Sequence, residues 1–352
     1  MTKKLSYLAV PAVAALAALT LASCATANPD QSGTQSAPEA NSDTSATDGA
    51  EHTKYPLTLQ NCGEDVTFDQ APSRVVLLES APVTGLDGIG VLDRVISLAG
   101  NFPPEYYSKE IQDQLAQIPL LSDDLNASGH LQISQEVVIA QEPDLVMGMP
   151  DGITRAGMKD AGANVLVQNV FCEGNQKPAT WDTLYDQLKE YGQVFDRNAE
   201  ADELIASLKD RVAQVEAKTK DAPPRTAAVL YPSIGGGPVY TYGTLSMAEP
   251  QLEAAGFKNV FDDVNERVFE VSAEELIERN PDVLILLYQG DLAGIKEEVV
   301  NLPGISAVNA VKNDAILPLL FNFTEPATPL TVDGLEQIVE RFGTGIPGAQ
   351  SN

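Results

Sequence analysis

Two glutamates, Glu136 and Glu274, occupy the same place in two copies of one sequence motif. The copies read ISQEVVIAQEPDLVMG, from Ile133, and VSAEELIERNPDVLILL, from Val271. Their shared Ser, Glu, Pro and Asp all keep an offset of 138 residues. A pattern repeated once in each half of a chain is typical of two related lobes, so the repeat indicates one carboxylate on each lobe.

Helix capping explains part of this motif. Ser134 and Ser272 suit the N-cap of a helix, the proline closes it, and Ser272-x-x-Glu275 is a capping box. Capping therefore accounts for Glu275 better than for Glu274. An acid in the first exposed turn projects outward, so we expect Glu136 and Glu274 to form a pair of surface charges. Such a pair suits docking on two basic sites of a symmetric partner, where charges set orientation and encounter rate.

Motifs for hydrolytic and nucleotide chemistry are missing from the sequence, which contains no GxSxG, CxxC, HExxH or P-loop pattern. The glycine-rich SIGGGP, from Ser233, is closed by proline, which favours a flexible cleft loop over a phosphate cradle. The two histidines, His52 and His130, are too few for the His-rich sites of zinc or manganese binders. We expect no enzyme activity, no metal site and no resident cofactor.

Continuous apolar runs alternate with helical periods along most of the chain. Such runs are typical of strands buried on both faces of a parallel sheet. Their alternation with helices predicts an α/β fold, and their two groups predict two sheets. A small hairpin, turned at Cys62-Gly63, precedes the first run. The predicted buried strands are Arg74 to Leu78, Val95 to Leu98, Leu145 to Met147, Val165 to Val167, Ala227 to Leu230, Val283 to Leu287 and Ile316 to Leu320.

A long helical pattern separates the two groups of strands. From Trp181 to Phe195 apolar side chains recur at intervals of three and four residues, and the period continues from Ala201 to Val215. Asn198 marks a break between two helices, and the following KDAPPR stretch cannot continue a helix. A rigid helix is therefore expected to join the lobes. The predicted division is an N-terminal lobe over 54–178, a connecting helix over 179–198, a C-terminal lobe over 199–346 and a tail over 347–352.

The first residues have the features of an export signal. Lys3 and Lys4 precede an apolar run too short to span a membrane comfortably, which takes about 20 residues. The run ends at Leu-Ala-Ser-Cys, which resembles the lipobox of bacterial lipoproteins and implies a signal peptide over 1–23 and a lipid on Cys24. Residues 24–53 lack large apolar side chains, so we expect a flexible tether that anchors the protein at the outer face of the cell membrane. An ordinary secretory signal that ends near a cysteine is the alternative.

Charge and cysteine content narrow the function further. The net charge of −28 argues against nucleic acid as a partner, because phosphate binding needs clustered Lys and Arg. Once Cys24 is assigned to lipid, Cys62 and Cys172 remain. An even pair in an oxidising compartment predicts a disulfide, and two buried free thiols are the alternative.

Together, the order and spacing of these motifs resemble a class III solute-binding protein of ABC importers, of the ferric-siderophore, haem and cobalamin group. The resemblance rests on PSRVVLLES, GLDGIGVLDRVISLAG, both repeated stretches, the middle helix and PLTVDGLEQI. NCG near the start and FCEG before the middle helix are similar to the actinobacterial siderophore branch. The resemblance implies a monomer of two Rossmann-like lobes with a ligand between them. It also implies that Glu136 and Glu274 dock on arginines of a permease dimer, whose ATPase powers import.

Ligand contacts are expected from loops at strand ends that face the cleft. Cations are scarce there, which disfavours a strongly anionic tricatecholate and favours a neutral or cationic complex such as a ferric hydroxamate. Iron would then enter only as part of the chelate. Haem or cobalamin is the alternative ligand, with His130 and a tyrosine such as Tyr242 as axial ligands of haem. Helix capping or packing is the alternative role of His130. The candidate ligand contacts are Glu79, Phe102, Tyr106, Arg155, Tyr231, Tyr242, Arg267 and Tyr288.

Overall fold

Strands and helices alternate through the folded chain in a computed structural model that describes residues 52–126, 129–172, 174 and 177–343. The predicted signal peptide, Cys24, nearly all of the tether and the C-terminal tail lie outside these residues. The strands are β1 (Leu57–Asn61), β2 (Glu64–Phe68), β3 (Val75–Leu77), β4 (Val95–Ala99), β5 (Leu120–Ser122), β6 (Leu145–Met147), β7 (Asn164–Leu166), β8 (Arg225–Pro232), β9 (Val239–Tyr242), β10 (Phe257–Asn259), β11 (Val268–Val271), β12 (Val283–Tyr288) and β13 (Ile316–Leu320).

The helices lie between these strands. They are α1 (Val83–Gly88), α2 (Lys109–Leu115), α3 (Gln135–Ile139), α4 (Arg155–Asp160), α5 (Trp181–Phe195), α6 (Asn198–Thr219), α7 (Ala248–Ala254), α8 (Ala273–Arg279), α9 (Ile295–Val300), α10 (Asn309–Lys312) and α11 (Pro329–Phe342). Short 3-10 turns cover Leu92–Arg94, Pro104–Tyr106, Asn169–Phe171, Ile305–Ala307 and Phe321–Phe323.

Parallel strands build the sheet of the N-terminal lobe, in the order β5-β4-β3-β6-β7. All three residues of β3 and of β6 are buried, as their continuous apolar sequences predict. Successive side chains of a strand point to opposite faces, so both faces need cover. Val76 and Val146 accordingly pack with Val138 of α3, whereas Leu77 and Met147 belong to the larger core on the opposite face.

The C-terminal lobe has a mixed sheet in the order β11-β9-β8-β12-β13. β8, β12 and β13 are parallel, whereas β9 runs antiparallel to both β8 and β11. β10 lies parallel to the first residues of β8, next to the segment that β9 leaves unpaired. The three parallel strands therefore direct their carboxyl ends to one edge, as the strands of the other lobe do.

One hydrophobic core connects the two lobes. It contains Leu77 from the first sheet and Ile285 from the second, together with Phe195 of α5, Leu208 of α6 and Leu335 of α11. The predicted break between two helices is confirmed, since α5 ends and α6 begins at the expected position. Because the helices that cross between the lobes are buried in this shared core, bending the connection would expose apolar surface.

The repeated motif of the sequence is also a repeat of structure. The carboxylate of Asp144 accepts hydrogen bonds from the backbone N–H of Ser73 at 2.8 Å and from its hydroxyl at 3.0 Å. Asp282, its counterpart, accepts from the backbone N–H of Thr226 at 3.0 Å and from its hydroxyl at 3.1 Å. Each aspartate thereby fixes the chain that leads into the neighbouring central strand, which gives the Pro-Asp part of the motif a structural role.

β1 and β2 form the expected hairpin, which is attached to the N-terminal lobe. The turn residues Cys62 and Gly63 both have positive φ, 55° and 80°, as a tight two-residue hairpin turn requires. Cys62 is joined to Cys172 in the predicted disulfide. Beside it, the buried amide of Asn61 bonds to both the N–H and the carbonyl of Val167, at 2.9 and 2.8 Å. The disulfide and this amide hold the hairpin against the end of β7.

Candidate ligand-binding cleft

A cavity of about 1210 Å³ lies between the two lobes. Small-molecule pockets span roughly 300–1,000 Å³, so this one has room for a bulky ligand. The hairpin and α4 build one part of its wall, through residues such as Val66 and Arg155. Another part is built by residues that follow the carboxyl ends of β3, β4, β6, β7, β12 and β13, as expected for parallel sheets. These residues are 78–81, Gly100 and Asn101, 148–151, Val167, Gln289, and Phe321 and Asn322.

The two lobes contact each other at the cavity through Tyr106. The backbone N–H of Asn322 donates to the Tyr106 hydroxyl oxygen at 2.9 Å, and the Asn322 amide donates to the Ser80 hydroxyl at 3.0 Å. The Tyr106 ring also meets Phe323 edge to face, with centroids 5.3 Å apart. Burial raises the pKa of Tyr106, so the phenol stays neutral at physiological pH. These contacts join a loop of one lobe to a loop of the other.

Arg267 makes a second contact between the lobes. Its guanidinium lies 5.0 Å from the ring centre of Phe171, in the other lobe. It also pairs with the fully buried carboxylate of Glu325 at 3.4 Å. Glu325 accepts a further hydrogen bond from the backbone N–H of Met247 at 2.6 Å. Burial raises the pKa of Glu325 even though Arg267 and these hydrogen bonds act to lower it. The charge of Arg267 is thus already engaged by the protein.

Replacement of Arg267 by glutamine is expected to lower the free energy of unfolding by about 2 kcal/mol, because the buried carboxylate of Glu325 loses its counter-charge. Urea unfolding followed by Trp181 fluorescence measures this loss. Lys109→Gln is the matched control, since Lys109 pairs with Asp113 on an exposed helix face and such pairs contribute about 0–1 kcal/mol. Equal losses in the two variants would contradict a stabilising role for the Arg267–Glu325 pair.

Arg155 also lines the cavity, and it too is engaged by the protein. Its guanidinium donates to the side chain of Asn61 at 2.6 Å and to the backbone carbonyl of Val165. Burial lowers the pKa of Arg155, opposed by the nearby charge of Glu64. Both arginines that the sequence predicts as ligand contacts are therefore at the cavity, and both have protein partners.

Glu79 lies two residues after the end of β3 and lines the cavity. Burial raises the pKa of this carboxyl to about 7, and an interaction with the Gln168 side chain opposes the shift. The Glu79 side chain lies against Gly148. A Cβ built on Gly148 would be 3.2 Å from the Cγ of Glu79, and Gly148 has a positive φ of 99°. The predicted contact Glu79 is thus placed where a ligand would meet it.

The aromatic candidates divide into two groups. Tyr106 lines the cavity, but Phe102, Tyr231, Tyr242 and Tyr288 do not. Tyr231 lies behind the wall, where it packs edge to face on Phe321 with centroids 5.9 Å apart. The side chains of the remaining three pack into or against the shared core. A direct ligand contact remains a prediction for these residues, and the structure supports it least for Tyr242, which is 2% exposed.

The pairing of His130 with Tyr242 expected for a haem ligand set is not formed. His130 is exposed and lines the cavity. Its backbone N–H donates to the Asn126 side chain at 3.0 Å. Tyr242 lies in the core, where burial raises the pKa of its phenol further above the ordinary value. The structure thus places His130 at the cavity wall and Tyr242 away from it, and a haem-ligand role for either stays a prediction.

The glycine-rich loop after β8 holds a carboxylate of the protein itself. Gly235 and Gly236 have positive φ values of 91° and 83°, and their N–H groups donate to the Glu298 carboxylate at 2.8 and 3.1 Å. Consecutive N–H groups in such a conformation form an anion site. In this structure Glu298 occupies that site, and residues 233–238, predicted as a cleft loop, are not among those that line the cavity.

Several cavity residues were not anticipated from the sequence. Phe171, Met149 and Gln289 all line the cavity. The Gln289 side-chain oxygen reaches the other lobe, where it lies 2.7 Å from the position that a Cβ on Gly129 would take. Each follows or closely follows a strand, so position after a strand end was the available signal.

Glu136 and Glu274 lie in the first turns of α3 and α8, and both are exposed. Helices that return from a parallel strand begin at the carboxyl edge of the sheet, so each glutamate is at the cleft side of its lobe. Hydrogen bonds from its own backbone N–H and from Ser134 lower the pKa of Glu136 and keep it ionised. The capping hydroxyl of Ser272 accepts from the Glu275 N–H at 3.1 Å, as predicted. Docking by these glutamates remains a prediction.

The fold and the cavity define a class of protein, in which two α/β lobes hold a small ligand between their strand ends. The chain belongs to the periplasmic binding protein family, whose sequence model matches residues 75–319. The family resemblance and the two-lobed α/β fold predicted from the sequence are thereby confirmed. Proteins of this family bind solutes and are not grouped as enzymes.

Individual relatives are similar over most of the chain. The crystal structure of an ABC-type Fe3+-hydroxamate transport system from Saccharomonospora viridis is 57% identical, covers 83% of this chain and 100% of its own, and has a TM-score of 0.79. YvrC of Bacillus subtilis, an uncharacterized ABC transporter substrate-binding lipoprotein, is 23% identical over 294 residues, 81% of this chain and 85% of YvrC. A cobalamin-binding protein of Halobacterium salinarum is 24% identical over 298 residues, 82% of this chain and 74% of its own.

Membrane spans and metal clusters were sought within the described part of the chain. None of the helices there is long and apolar enough to cross a membrane. The same residues include no group of three or more His, Cys, Asp or Glu side chains placed to hold a metal ion.

Proposed function

We propose that the protein captures a ferric hydroxamate outside the cell membrane and delivers it to the permease of an ABC importer. The observation that carries this proposal is the 57% identity, over 83% of the chain, to the structure of a protein described as part of an Fe3+-hydroxamate transport system.

The chemistry of the cavity supports the same ligand class. Tyr106, Phe171, Phe321 and Met149 give its wall an apolar and aromatic character suited to the organic shell of a chelate. Of the three cations that line the cavity, Arg155 and Arg267 bond to the protein and only Lys159 is exposed, so a triply anionic catecholate complex would be buried with few counter-charges. A ferric trihydroxamate core is neutral and meets no such cost.

The route of delivery is part of the proposal. Lipid on Cys24 and a tether over residues 24–53 would hold the protein at the outer face of the membrane, as in a relative that is named a lipoprotein. Glu136 and Glu274 would then dock on a permease dimer whose ATPase supplies the energy. The protein itself needs neither catalysis nor a resident cofactor in this scheme, because the iron arrives inside its chelate and the monomer only binds and releases it.

Titration with a panel of chelates tests the proposal. Purified protein is mixed with ferrioxamine B, ferric enterobactin, haemin and cyanocobalamin, and binding is followed by fluorescence quenching and calorimetry. We expect ferrioxamine B to bind at least about tenfold more tightly than the others, a difference of roughly 1.4 kcal/mol. Tighter binding of cyanocobalamin or haemin would favour the alternative ligands of this family. Tighter binding of ferric enterobactin would contradict the electrostatic argument.

A further inference from the structure

Glu79 is the acid among the cavity residues that were predicted as ligand contacts. It stands two residues after β3, the central strand of its sheet, between the end of β4 and the end of β6. Its carboxyl group lies against Gly148, at the end of β6, and interacts with Gln168, which follows β7. Such a position at the middle of a parallel sheet is where ligands of α/β proteins bind.

Burial and hydrogen bonding act in opposite directions on the ionisation of Glu79. Gln168 is 3% exposed, and its amide N–H donates to the Tyr191 hydroxyl at 2.8 Å. Burial is the larger influence and raises the pKa of Glu79 to about 7, whereas the interaction with Gln168 favours the carboxylate. Both forms of the carboxyl are therefore populated near neutral pH.

No cation of the described residues offsets an ionised Glu79. Arg267 pairs with Glu325, and Arg155 bonds to Asn61. Two titratable residues of α5, Tyr191 and Glu190, belong to the same surroundings. Burial raises the pKa of Tyr191, and the charges of Glu79 and Glu190 add to this shift. Gly148 and Gln168, which approach from the ends of β6 and β7, carry no charge. Lys159 also lines the cavity but is not among the causes that shift the pKa of Glu79. A cationic group on the ligand would therefore favour the ionised form of Glu79.

We propose that Glu79 sets the charge preference of the cleft, by pairing in its ionised form with an ammonium or other cationic group on the ferric chelate. This inference rests on the proposed function and adds to it the chemical class of the favoured ligand: a hydroxamate complex with a cationic arm. Below its pKa of about 7, Glu79 in the empty cleft is mostly a neutral acid, and it loses its proton when the cationic group arrives.

This coupling makes the affinity for a cationic chelate depend on pH. Below its pKa Glu79 must lose a proton before it pairs with the cation, so the apparent Kd rises as the pH falls. With a pKa of about 7, the Kd for a cationic complex is expected to be about tenfold higher at pH 6 than at pH 8. A neutral complex does not require ionisation of Glu79, and its Kd changes less than about twofold over the same range.

Ferrioxamine B and ferrioxamine E provide the test, because both hold iron in a trihydroxamate core but only ferrioxamine B carries a free ammonium group. Calorimetric titrations of each complex at pH 6, 7 and 8 are run on the unaltered protein and on Glu79→Gln. We expect the tenfold pH effect for ferrioxamine B alone, and its disappearance in Glu79→Gln with a several-fold weaker affinity at pH 8. Ferrioxamine E is expected to bind the variant as well as it binds the unaltered protein.

Glu190→Gln is the matched control, since Glu190 is another acid whose pKa is raised by burial and it does not line the cavity. It should retain the difference between the two complexes. Equal pH profiles for both complexes, or a pH effect that survives in Glu79→Gln, would overturn the role of Glu79 and leave the proposed function intact. If neither complex binds at any pH, the proposed function fails and this inference fails with it. Thermal melting of each variant verifies that it is folded.

Discussion

Reversal of charge at both Glu136 and Glu274, to arginine, is expected to reduce import of the ferric chelate at least about thirtyfold and to leave the Kd for the chelate unchanged. Loss of a close charge pair at an interface costs about 2 kcal/mol or more, and here two pairs would become repulsive. Both glutamates are exposed and neither lines the cavity, so ligand binding has no reason to change. Uptake of radioactive iron chelate by cells that carry each variant measures the effect.

The chain offers a matched control for this experiment. Glu110 and Glu297 are also exposed acids in the first turn of a helix, one in each lobe, but they lie outside the repeated motif. The Glu110→Arg, Glu297→Arg double variant changes the net charge by the same amount and should import at the normal rate. Normal import by the Glu136→Arg, Glu274→Arg protein, or an equal loss in both double variants, would contradict specific docking.

The sequence predicted the central architecture because the central strands are buried on both faces. β3, β6 and β12 read as continuous apolar runs and were found within one or two residues of the observed limits. β5, β9, β10 and β11 were not predicted, since they are short, lie toward the sheet edges and keep exposed residues. An edge strand obtains much of its stability from pairing with its neighbour, which a local pattern does not contain.

Site residues were harder to predict, because their surroundings come from distant parts of the chain. The sequence showed that cations are scarce near the cleft, but it did not show that Arg155 and Arg267 bond to other groups of the protein. Arg155 bonds to Asn61, 94 residues away, and Arg267 pairs with Glu325, 58 residues away. Glu79 was predicted because it directly follows a buried strand. Tyr242 lies within a paired strand and not beyond its end, a placement that the local sequence pattern did not show.

The repeated motif shows how one pattern can contain two roles. Asp144 and Asp282 form the same hydrogen bonds to neighbouring strands, so duplication for stability explains the Pro-Asp part. Glu136 and Glu274 accept no comparable bonds from another strand and stay exposed. Stability therefore explains the aspartates but not the glutamates, which is the physical reason to test the glutamates by function and not by unfolding.

Removal of the disulfide, by Cys62→Ser with Cys172→Ser, is expected to lower the free energy of unfolding by about 4 kcal/mol. The two cysteines are 110 residues apart, and a crosslink that closes a loop of about 100 residues restricts the unfolded chain by roughly 4–5 kcal/mol. The hydrogen bonds of Asn61 to Val167 remain in the variant, so the hairpin should stay attached in the folded state. The loss should therefore come mainly from the unfolded chain.

Urea unfolding under oxidising and reducing conditions separates this effect from a local disturbance. The unaltered protein should lose about 4 kcal/mol when it is reduced, whereas the double serine variant should unfold at the same urea concentration with or without reductant. Ferrioxamine B titration reports on the folded state, because Phe171, which stacks on Arg267, is next to Cys172. An unchanged Kd with a large loss of stability is the expected result. If the Kd weakens as much as the stability falls, the disulfide acts by positioning Phe171, and the entropic explanation is wrong.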